Sequence, residues 1–372
     1  MKSIYKSIGE LVERIDQRNT DGTVTNLIGV SIDKKFINSV ANVIGTDLTK
    51  YKVIEKYDFA VSLMQVSRDE KIPVACQKEY DKAIMSPAYP IFRVKDTSIV
   101  LPEYLEMWFM RPEFDREASF IAVGGVRGSM PWEDFANMKL PVPSIEEQRE
   151  IVNSYKTLTD RIALKKQIND NLLATTQAIY KSWFVDFEPF EGVCPQNWLN
   201  GCVDDIAEFY DSMRKPLSSL ERADMERIYP YYGAVSIVDY VDDFIFDGEY
   251  LLVSEDGIYV VDENGRPLLQ HITGKFWANN HAHILKGKAG FNEDSLYLFL
   301  ANTNMAPIVT GAAQPKINQA NLKSFPITIP SSDVIEKFNA LIQPFFDQRL
   351  SNEAEVKHLE KLKDLLLSRL VN

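Results

Sequence analysis

The chain carries one long amphipathic segment twice, and this duplication restricts the possible folds more than any other feature. The first copy covers residues 144–183 and the second covers residues 331–370. Read at alternating spacings of four and three, each copy has a heptad seam that is apolar at both ends and polar in the middle. The apolar seam positions are Ile151, Tyr155, Leu158, Ile162, Leu172 and Ile179 in the first copy, and Phe338, Ile342, Phe345, Val356, Leu359 and Leu366 in the second.

The segments that precede the two copies are related by the same offset in sequence. The shift that brings Ile151 onto Phe338 also brings residues 124–143 onto residues 311–330 without a gap. If the two long segments were unrelated, their heptads would have the same phase relative to these preceding segments about one time in seven, because a heptad has seven phases. The sequence therefore predicts a tandem duplication in which each half is a globular block followed by a long helix.

The two globular blocks have the pattern of mixed α/β domains, with strands first and a helix later. Predicted strands cover residues 26–32, 57–66, 72–76 and 89–94 in the first block, and 234–241, 250–254, 257–261 and 281–285 in the second. Predicted helices cover residues 101–110 and 292–301. The predicted domains are a first block (1–143), a first long helix with its linker (144–190), a second block (191–330) and a second long helix (331–372).

Each long helix has an apolar stripe that its own block cannot cover. The two helices are therefore predicted to pack together over about 60 Å, and an antiparallel arrangement keeps the chain connections short. The predicted fold class is α+β, with two mixed α/β domains joined by a pair of long antiparallel helices and an internal pseudo-two-fold. Pro344 is expected to kink the second helix. The polar middle, Lys165, Asn169, Arg349 and Asn352, either fixes the helix orientation or forms a solvated face.

Composition excludes several classes of protein. No apolar run reaches about 20 residues and the N-terminus lacks a signal-peptide core, which predicts a cytoplasmic protein without membrane association. Three cysteines without paired spacing argue against a disulfide framework or a zinc cluster. The net charge of −12 argues weakly against nucleic acid, although local patches rather than totals determine binding.

Catalytic motifs are absent from the sequence. It has no phosphate-binding glycine loop, no dinucleotide fingerprint and no zinc-protease motif. His281 and His283 share one face of a predicted strand, but no third metal ligand can be named. The acid pairs at residues 204–205, 242–243 and 255–256 suit a solvated surface better than acid–base chemistry. The chain is predicted to catalyse nothing and to hold no metal or cofactor.

Four segments carry a resemblance to a known family. They are Leu-Pro-Val-Pro-Ser-Ile-Glu-Glu-Gln-Arg-Glu-Ile-Val (140–152), Lys-Ser-Trp-Phe-Val-Asp-Phe (181–187), Cys-Pro-Gln-Asn-Trp (194–198) and Tyr-Tyr-Gly-Ala (231–234). In this order, the chain resembles over essentially its whole length the DNA-specificity subunit of type I restriction-modification systems. The second copy departs from the pattern where Val334-Ile335 replaces Glu-Gln.

The resemblance implies two target recognition domains, each reading one half of a bipartite asymmetric site in double-stranded DNA. The antiparallel helices would set the gap between the halves and dock two modification (methyltransferase) subunits, to which restriction (nuclease and translocase) subunits are added. S-adenosylmethionine, ATP and Mg²⁺ would then belong to the partner subunits and not to this chain.

DNA contacts are expected from basic and amide side chains in loops, since Arg and Lys read guanine edges and Asn and Gln read adenine. The candidates are Lys34, Lys35, Arg68, Lys71, Lys78 and Arg127 in the first block, and Arg214, Lys215, Arg222, Arg227, Tyr231, Lys275, Asn279, Asn280, Gln314 and Lys316 in the second. Arg127, Gln314 and Lys316 rank first because they occupy equivalent loops of the repeat. For any single lysine or arginine, solubilising the surface is the commoner role.

Two other functions remain open. The chain can be a coiled-coil adaptor without DNA readout, or a hydrolase that uses an acid pair. Neither explains why two diverged blocks surround a duplicated helix.

Overall fold

A computed structural model describes residues 4–39, 46–123, 128–311 and 313–371. The chain divides into two compact units, the first formed by Met1–Leu164 with Glu355–Asn372 and the second by Lys165–Ala354. Each unit contains one globular block together with parts of both long helices. The predicted domain boundaries, which place each long helix in a segment of its own, stay predictions.

The first block builds its main sheet from four antiparallel strands. Its elements are β1 (Ile4–Ser7), α1 (Ile8–Leu11), β2 (Val12–Ile15), β3 (Ile28–Val30), β4 (Phe36–Asn38), β5 (Lys52–Glu55), β6 (Phe59–Val61), α2 (Val66–Asp69), β7 (Val74–Cys76), β8 (Lys82–Met85), β9 (Ile91–Val94), α3 (Pro102–Phe109), α4 (Pro112–Ile121), α5 (Trp132–Asn137) and β10 (Lys139–Val142). The sheet order is β2-β9-β6-β7, and β1 pairs with β10.

The core of the first block is aromatic. Phe59 and Phe92 stack with ring centroids 5.2 Å apart, and Phe109 meets both rings edge-on. Phe114 and Phe135 close the cluster from α4 and α5. Such edge-to-face and offset pairs add stability beyond the area they bury.

The second block follows the long helix α6 (Ile145–Phe184) and builds a six-stranded sheet. Its elements are β11 (Leu199–Cys202), α7 (Val203–Ile206), β12 (Ala207–Phe209), α8 (Ser219–Ala223), β13 (Tyr229–Tyr232), β14 (Ile237–Val241), β15 (Phe246–Ser254), β16 (Leu269–Ala278), β17 (Ala282–Gly287), α9 (Glu293–Ala301), α10 (Gln319–Lys323) and β18 (Pro326–Ile329), and the long helix α11 (Ser332–Ser368) comes next. The order is β12-β17-β15-β16-β13-β14, and β11 pairs with β18.

The two blocks share a frame of equivalent elements. In the first block β1 pairs with β10 and leads into α1, and in the second β11 pairs with β18 and leads into α7. Both short helices have an acidic residue that accepts from the backbone N–H before the helix: Glu10 from Ser7 (2.6 Å) and Asp205 from Cys202 (2.8 Å). The internal repeat read from the sequence is therefore a repeat of structure.

In the second block one predicted strand is absent, and several observed strands, among them β13 and β16, were not predicted. Residues 257–261 form a loop in which Gly257 adopts a φ of +151° and Val261 forms an isolated bridge with Pro267. The longest strand of the sheet, β16, was not predicted, since its middle is polar and contains Gly274. The turn expected at residues 247–248 lies within β15.

Both units pair the two long helices head to tail. In the first unit Ile162 of α6 packs against Val356 and Leu359 near the end of α11. In the second unit Phe184, at the end of α6, meets Phe338 near the start of α11, with ring centroids 4.7 Å apart. The helices therefore run in opposite directions, and the predicted α+β class with antiparallel long helices is confirmed.

None of the predicted seam residues is fully exposed. At two places on α11 the buried residue is the one that follows the predicted residue. Phe346 and Leu367 are buried, whereas their predicted neighbours Phe345 and Leu366 are half-buried. At these places α11 also packs against the core of a globular block, which widens its buried face. The helix passes Pro344 without interruption, and this proline lies on the exposed side.

The polar middle of the seam is a hydrogen-bonded network within the second unit. Asn352 is 1% exposed, and its Nδ2 donates to Asn169 Oδ1 at 2.8 Å. Lys165 Nζ donates to Asn352 Oδ1 (2.9 Å), and Asn169 Nδ2 donates to the Arg349 carbonyl (3.2 Å). The sequence left open whether these polar residues fix the orientation of the helices or form a solvated face. The contacts favour a role in fixing the orientation.

Within the described ranges, no helix combines the length and the apolar character needed to cross a membrane.

Candidate nucleic-acid interface

One backbone hydrogen bond recurs at equivalent positions of the two blocks. The Met130 N–H donates to the Leu63 carbonyl, and the Ile317 N–H donates to the Glu255 carbonyl, both at 2.8 Å. Met130 and Ile317 are related by the shift that relates Ile151 to Phe338. Each bond joins the loop before α5 or α10 to the loop that follows β6 or β15. We call residues 63–70, which include α2, with 128–131 the first loop pair, and residues 255–260 with 310–311 and 313–317 the second loop pair.

The first loop pair is tightly fitted at Gly128. This glycine has a φ of +71°, and a Cβ there would lie 2.5 Å from Ser67 Oγ and 3.3 Å from the Arg68 nitrogen. Arg68 is exposed, and its Nε donates to Asp69 Oδ1 at 2.8 Å. The structure therefore brings Arg68 beside the glycine loop, whereas Arg127 lies outside the described residues.

The second loop pair combines charged groups with exposed apolar side chains. Lys316 Nζ lies 2.9 Å from Glu255 Oε1, and His281 Nδ1 lies 2.5 Å from Asp256 Oδ1. Ile258 is 82% exposed and Tyr259 is 72% exposed. Sequence reasoning assigned these two residues to a strand and missed them as contact candidates, although the Gly257 before them was a signal for a loop.

A buried polar network supports the second loop pair. His283 is fully buried; its Nδ1 lies 2.6 Å from Asp211 Oδ2 and its Nε2 lies 2.8 Å from the Ile317 carbonyl oxygen. The two ring nitrogens thus face a carboxylate oxygen and a carbonyl oxygen, both of which accept hydrogen bonds. Arg214 Nη1 donates to Glu255 Oε2 at 2.6 Å.

The network shifts the acidity of its carboxylates. Burial alone would raise the pKa of Asp211, but the hydrogen bond and charge of His283, the Ile284 N–H and Arg214 outweigh it, so this pKa is lowered. Burial alone would also raise the pKa of Glu255. The hydrogen bonds from Arg214 and Lys316 outweigh burial, so this pKa is lowered. Both carboxylates are therefore ionised near neutral pH and hold the loop in place.

Five of the predicted DNA-contact residues serve the fold. Lys34 is 6% exposed and its Nζ lies 2.8 Å from Asp115 Oδ1. The Tyr231 hydroxyl accepts from the Leu217 N–H in a buried cluster, and Asn279 Oδ1 accepts from the His281 N–H. Arg214 and Arg222 are half-buried in ion pairs with carboxylates. Burial and these partners leave Lys34, Arg214, Arg222, Tyr231 and Asn279 little surface for a duplex, and a DNA contact by these five stays a prediction.

The remaining candidates are accessible. Lys35, Lys71, Lys215, Arg227, Lys275, Asn280 and Gln314 are exposed. Lys275 Nζ lies 4.4 Å from the centre of the Phe244 ring, and Lys78 forms an ion pair with Glu106. Of the predicted residues that the structure describes, only Arg68, Gln314 and Lys316 lie in a loop pair, and the others are dispersed.

Comparisons with known proteins agree on one family. The type I restriction modification DNA specificity domain matches residues 17–174 and again residues 195–361. A putative type I restriction enzyme specificity subunit of Haemophilus influenzae is 38% identical over 132 residues, which are 36% of this chain and 33% of that relative. This chain thus spans about a third of that relative.

Two further likenesses cover more of the chain. The MjaIX specificity subunit of Methanocaldococcus jannaschii is 24% identical over 73% of this chain and 68% of its own length. The crystal structure of the type I restriction-modification S subunit from M. genitalium superimposes with a TM-score of 0.57 at 13% identity, covering 99% of this chain and 96% of that one. The last likeness concerns the fold alone.

Proposed function

We propose a mechanism of DNA reading from one premise: the chain belongs to the family of type I restriction-modification DNA specificity proteins. It is a specificity subunit without a catalytic role, as the sequence predicts. The finer proposal is that each block reads one half of a bipartite, asymmetric site in double-stranded DNA and thereby directs methylation and restriction.

The recurring loop pair carries this proposal. Both blocks use an equivalent backbone bond to hold the same two loops together, while the side chains on those loops differ. Arg68 in the first loop pair suits a guanine edge, whereas Gln314 in the second suits an adenine edge. Two blocks that share one frame but carry different contact residues would recognise two different half-sites.

Apolar side chains in the second loop pair add a second means of recognition. Ile258 and Tyr259 stand out from the loop beside Lys316. Exposed apolar side chains can contact a thymine methyl group or wedge between base steps. A lysine next to them suits the flanking phosphate.

The partners of the chain follow from the helices and from charge. In the first unit α6 and α11 border an apolar groove of about 480 Å³, lined by Leu158, Leu362, Leu365 and Leu366 among others. We propose this groove as a docking place for a modification (methyltransferase) subunit, of which two would bind, with restriction subunits added. S-adenosylmethionine, ATP and Mg²⁺ would enter with those partners, and the complex would work in the cytoplasm.

The net charge of −12 gives the partners a second role. Phosphate contacts supply most of the nonspecific affinity of a DNA-binding protein. The 53 acidic residues of this chain outnumber its 41 lysines and arginines, which weakens its attraction to phosphates. Partner subunits closing around the duplex would supply the missing contacts. Nanomolar sequence-specific binding by the isolated chain in a gel-shift assay would contradict this part.

The proposal is tested by mapping methylated bases in a host that carries only this chain and its modification partner. The double substitution Ile258→Ser and Tyr259→Ala should relax one half-site, because each lost base contact costs about 1–3 kcal/mol, and leave the other half unchanged. Leu220→Ala is the matched control, since Leu220 is equally exposed at 82% but lies in α8.

The first block has its own test. Arg68→Ala should relax the other half-site, and Arg116→Ala should not, although Arg116 is also exposed and also bonded to a neighbouring acid. A map in which every loop variant weakens both halves equally would favour the adaptor without DNA readout. Methylation of all sites regardless of sequence would do the same.

A further inference from the structure

A second cluster of ligand-type side chains lies in the second unit, away from the loop pairs. Glu249 on β15, His271 on β16 and Asp294 in the first turn of α9 each offer one ligand atom, and these atoms lie within 4.8 Å of one another. Asp294 is 2% exposed, and its Oδ1 has no hydrogen-bond partner among the described residues. A buried carboxylate oxygen without a partner is costly, and burial raises the pKa of Asp294 to about 7. Either a proton or a bound cation would relieve that cost.

The hydrogen bonds of His271 leave one nitrogen facing this oxygen. Its Nε2 lies 2.7 Å from Glu249 Oε1, and because a carboxylate only accepts, Nε2 carries the proton. Its Nδ1 faces Asp294 Oδ1 at 3.5 Å. A metal ion between these two atoms could bind both of them and would take the place of a proton there.

The separation of these two atoms fits a shared metal ion. Zinc binds imidazole nitrogen and carboxylate oxygen at about 2.0–2.2 Å, so two such ligands at a tetrahedral angle lie roughly 3.3–3.5 Å apart. A zinc-bound histidine commonly donates its other N–H to a carboxylate, which fixes the ring orientation. Glu249 occupies that position.

We propose that His271 Nδ1 and Asp294 Oδ1 bind a divalent transition-metal ion of the Zn²⁺ class, with Glu249 as the residue that positions the ring and water completing the coordination. The Glu249 side chain is 41% exposed, so solvent reaches the site from that side. The Tyr297 and Phe346 rings flank His271, with centroids 6.4 and 5.9 Å away. The ion would tie α9 to the centre of the six-stranded sheet, a role separate from DNA reading.

The network around His283 shows why the two clusters differ. Asp211, Glu255 and His283 also lie within ligand distance of one another, but Arg214 and Lys316 neutralise those carboxylates. Glu249, Glu293 and Asp347 add negative charge around Asp294. Among the described residues, the ion pairs of Glu249 and Asp294 are with His271 and not with an arginine or lysine, so the second cluster is the better place for an external ion.

The sequence could not reveal this site. Its three members are more than twenty positions apart and come from two strands and a helix, without the short ligand spacing of common zinc motifs. The sequence predicted no metal because that spacing is missing. The metal site proposed here depends on contacts that only the fold creates.

Calorimetry on the purified full chain, first stripped with a chelator, tests the proposal with Zn²⁺ as the probe. We expect one ion per chain and a higher melting temperature with Zn²⁺ than with the chelator. Positioning carboxylates contribute about 10- to 100-fold to metal affinity, so Glu249→Ala should fall in that range and Asp294→Asn beyond it. His281→Gln is the matched control: it removes a histidine paired with Asp256 in the same unit and should leave zinc affinity unchanged.

Co²⁺ provides a measurement that needs no variant. Co²⁺ bound to the wild-type chain should give visible absorption of a low-symmetry nitrogen and oxygen site, and Zn²⁺ should displace it. The proposal is overturned if the wild-type chain shows no such absorption. It is also overturned if Asp294→Asn and His271→Gln bind Zn²⁺ as tightly as the wild type, which would leave surface binding only.

Discussion

The interiors of the two blocks differ more than their frames. The first block closes its core with five phenylalanine rings, whereas the second places an ionised network of Asp211, Arg214, Glu255 and His283 beneath its loop pair. Both nevertheless use the same strand pairing, the same short helix and the same backbone bond to hold two loops. The same frame thus positions a loop pair above two different interiors, one aromatic and one built from a polar network that bonds to the loops.

The frame should carry the largest effect on stability. Phe135 on α5 and Leu322 on α10 are equivalent positions, and both are 0% exposed. Phe135→Ala should cost about 4 kcal/mol and Leu322→Ala about 3 kcal/mol of unfolding free energy, because each leaves a cavity. Urea unfolding of the full chain measures both. If either substitution lowers the unfolding free energy by less than about 1 kcal/mol, Phe135 and Leu322 do not have equivalent roles in the two blocks.

The charged network should come next and should distinguish the second block. Asp211→Ala removes the carboxylate that holds His283 and Gln319. It should cost about 3 kcal/mol, because breaking a buried ion pair leaves an uncompensated charge. Asp69→Ala is the control, since Asp69 pairs with exposed Arg68 and should change little. If both variants unfold at the same urea concentration, the network does not stabilise the second block.

A smaller effect should appear in the pH dependence of stability. The pKa of Asp211 is lowered from 3.8 in the folded chain, as the His283 contact outweighs burial. Such a carboxylate stabilises the fold above its unfolded-state pKa and loses that contribution as pH falls through its folded-state pKa. Unfolding free energy should therefore drop below about pH 4, and Asp211→Asn should make that drop shallower. Phe135→Leu, which touches no charge, should lower stability without changing the slope.

The smallest effect on stability belongs to the loop pair itself. Tyr259→Ala should change the unfolding free energy by no more than about 0.5 kcal/mol, because the side chain is 72% exposed. The same substitution is expected to alter the methylation map. Melting curves and maps on one preparation separate the two roles, and a large loss of stability would make Tyr259 part of the frame.

The sequence predicted the long helices and the helices α3 and α9 well, because these elements are marked by local signals in the sequence. The seam from Ile151 to Ile179 and its copy on α11 repeat at heptad spacing, and hinge prolines mark where the helices begin. The helices predicted at 101–110 and 292–301 correspond to α3 and α9 within one residue at each end. These features are local in sequence, so one chain suffices to see them.

The candidate interface was harder to predict because it depends on contacts between distant residues. Lys34 reads as a surface lysine until the fold places it beside Asp115, and Tyr231 reads as a stacking ring until Leu217 covers its hydroxyl. Ile258 and Tyr259 have strand-like composition, and only the backbone at Gly257 turns them outward. Charge and composition are poor guides where burial decides the role of a side chain.

The asparagine pair in the middle of the helix seam has a consequence for how the molecule tolerates insertions. Asn352 meets Asn169 in one alignment, and slipping either helix by a turn would leave a buried amide facing apolar carbon, at about 1–3 kcal/mol per unsatisfied group. Residues added or deleted elsewhere in either helix keep the two stripes in phase when they come in sevens, whereas three or four residues would overwind or unwind the helices locally. The asparagine pair thus fixes the alignment against which any change in helix length must be accommodated.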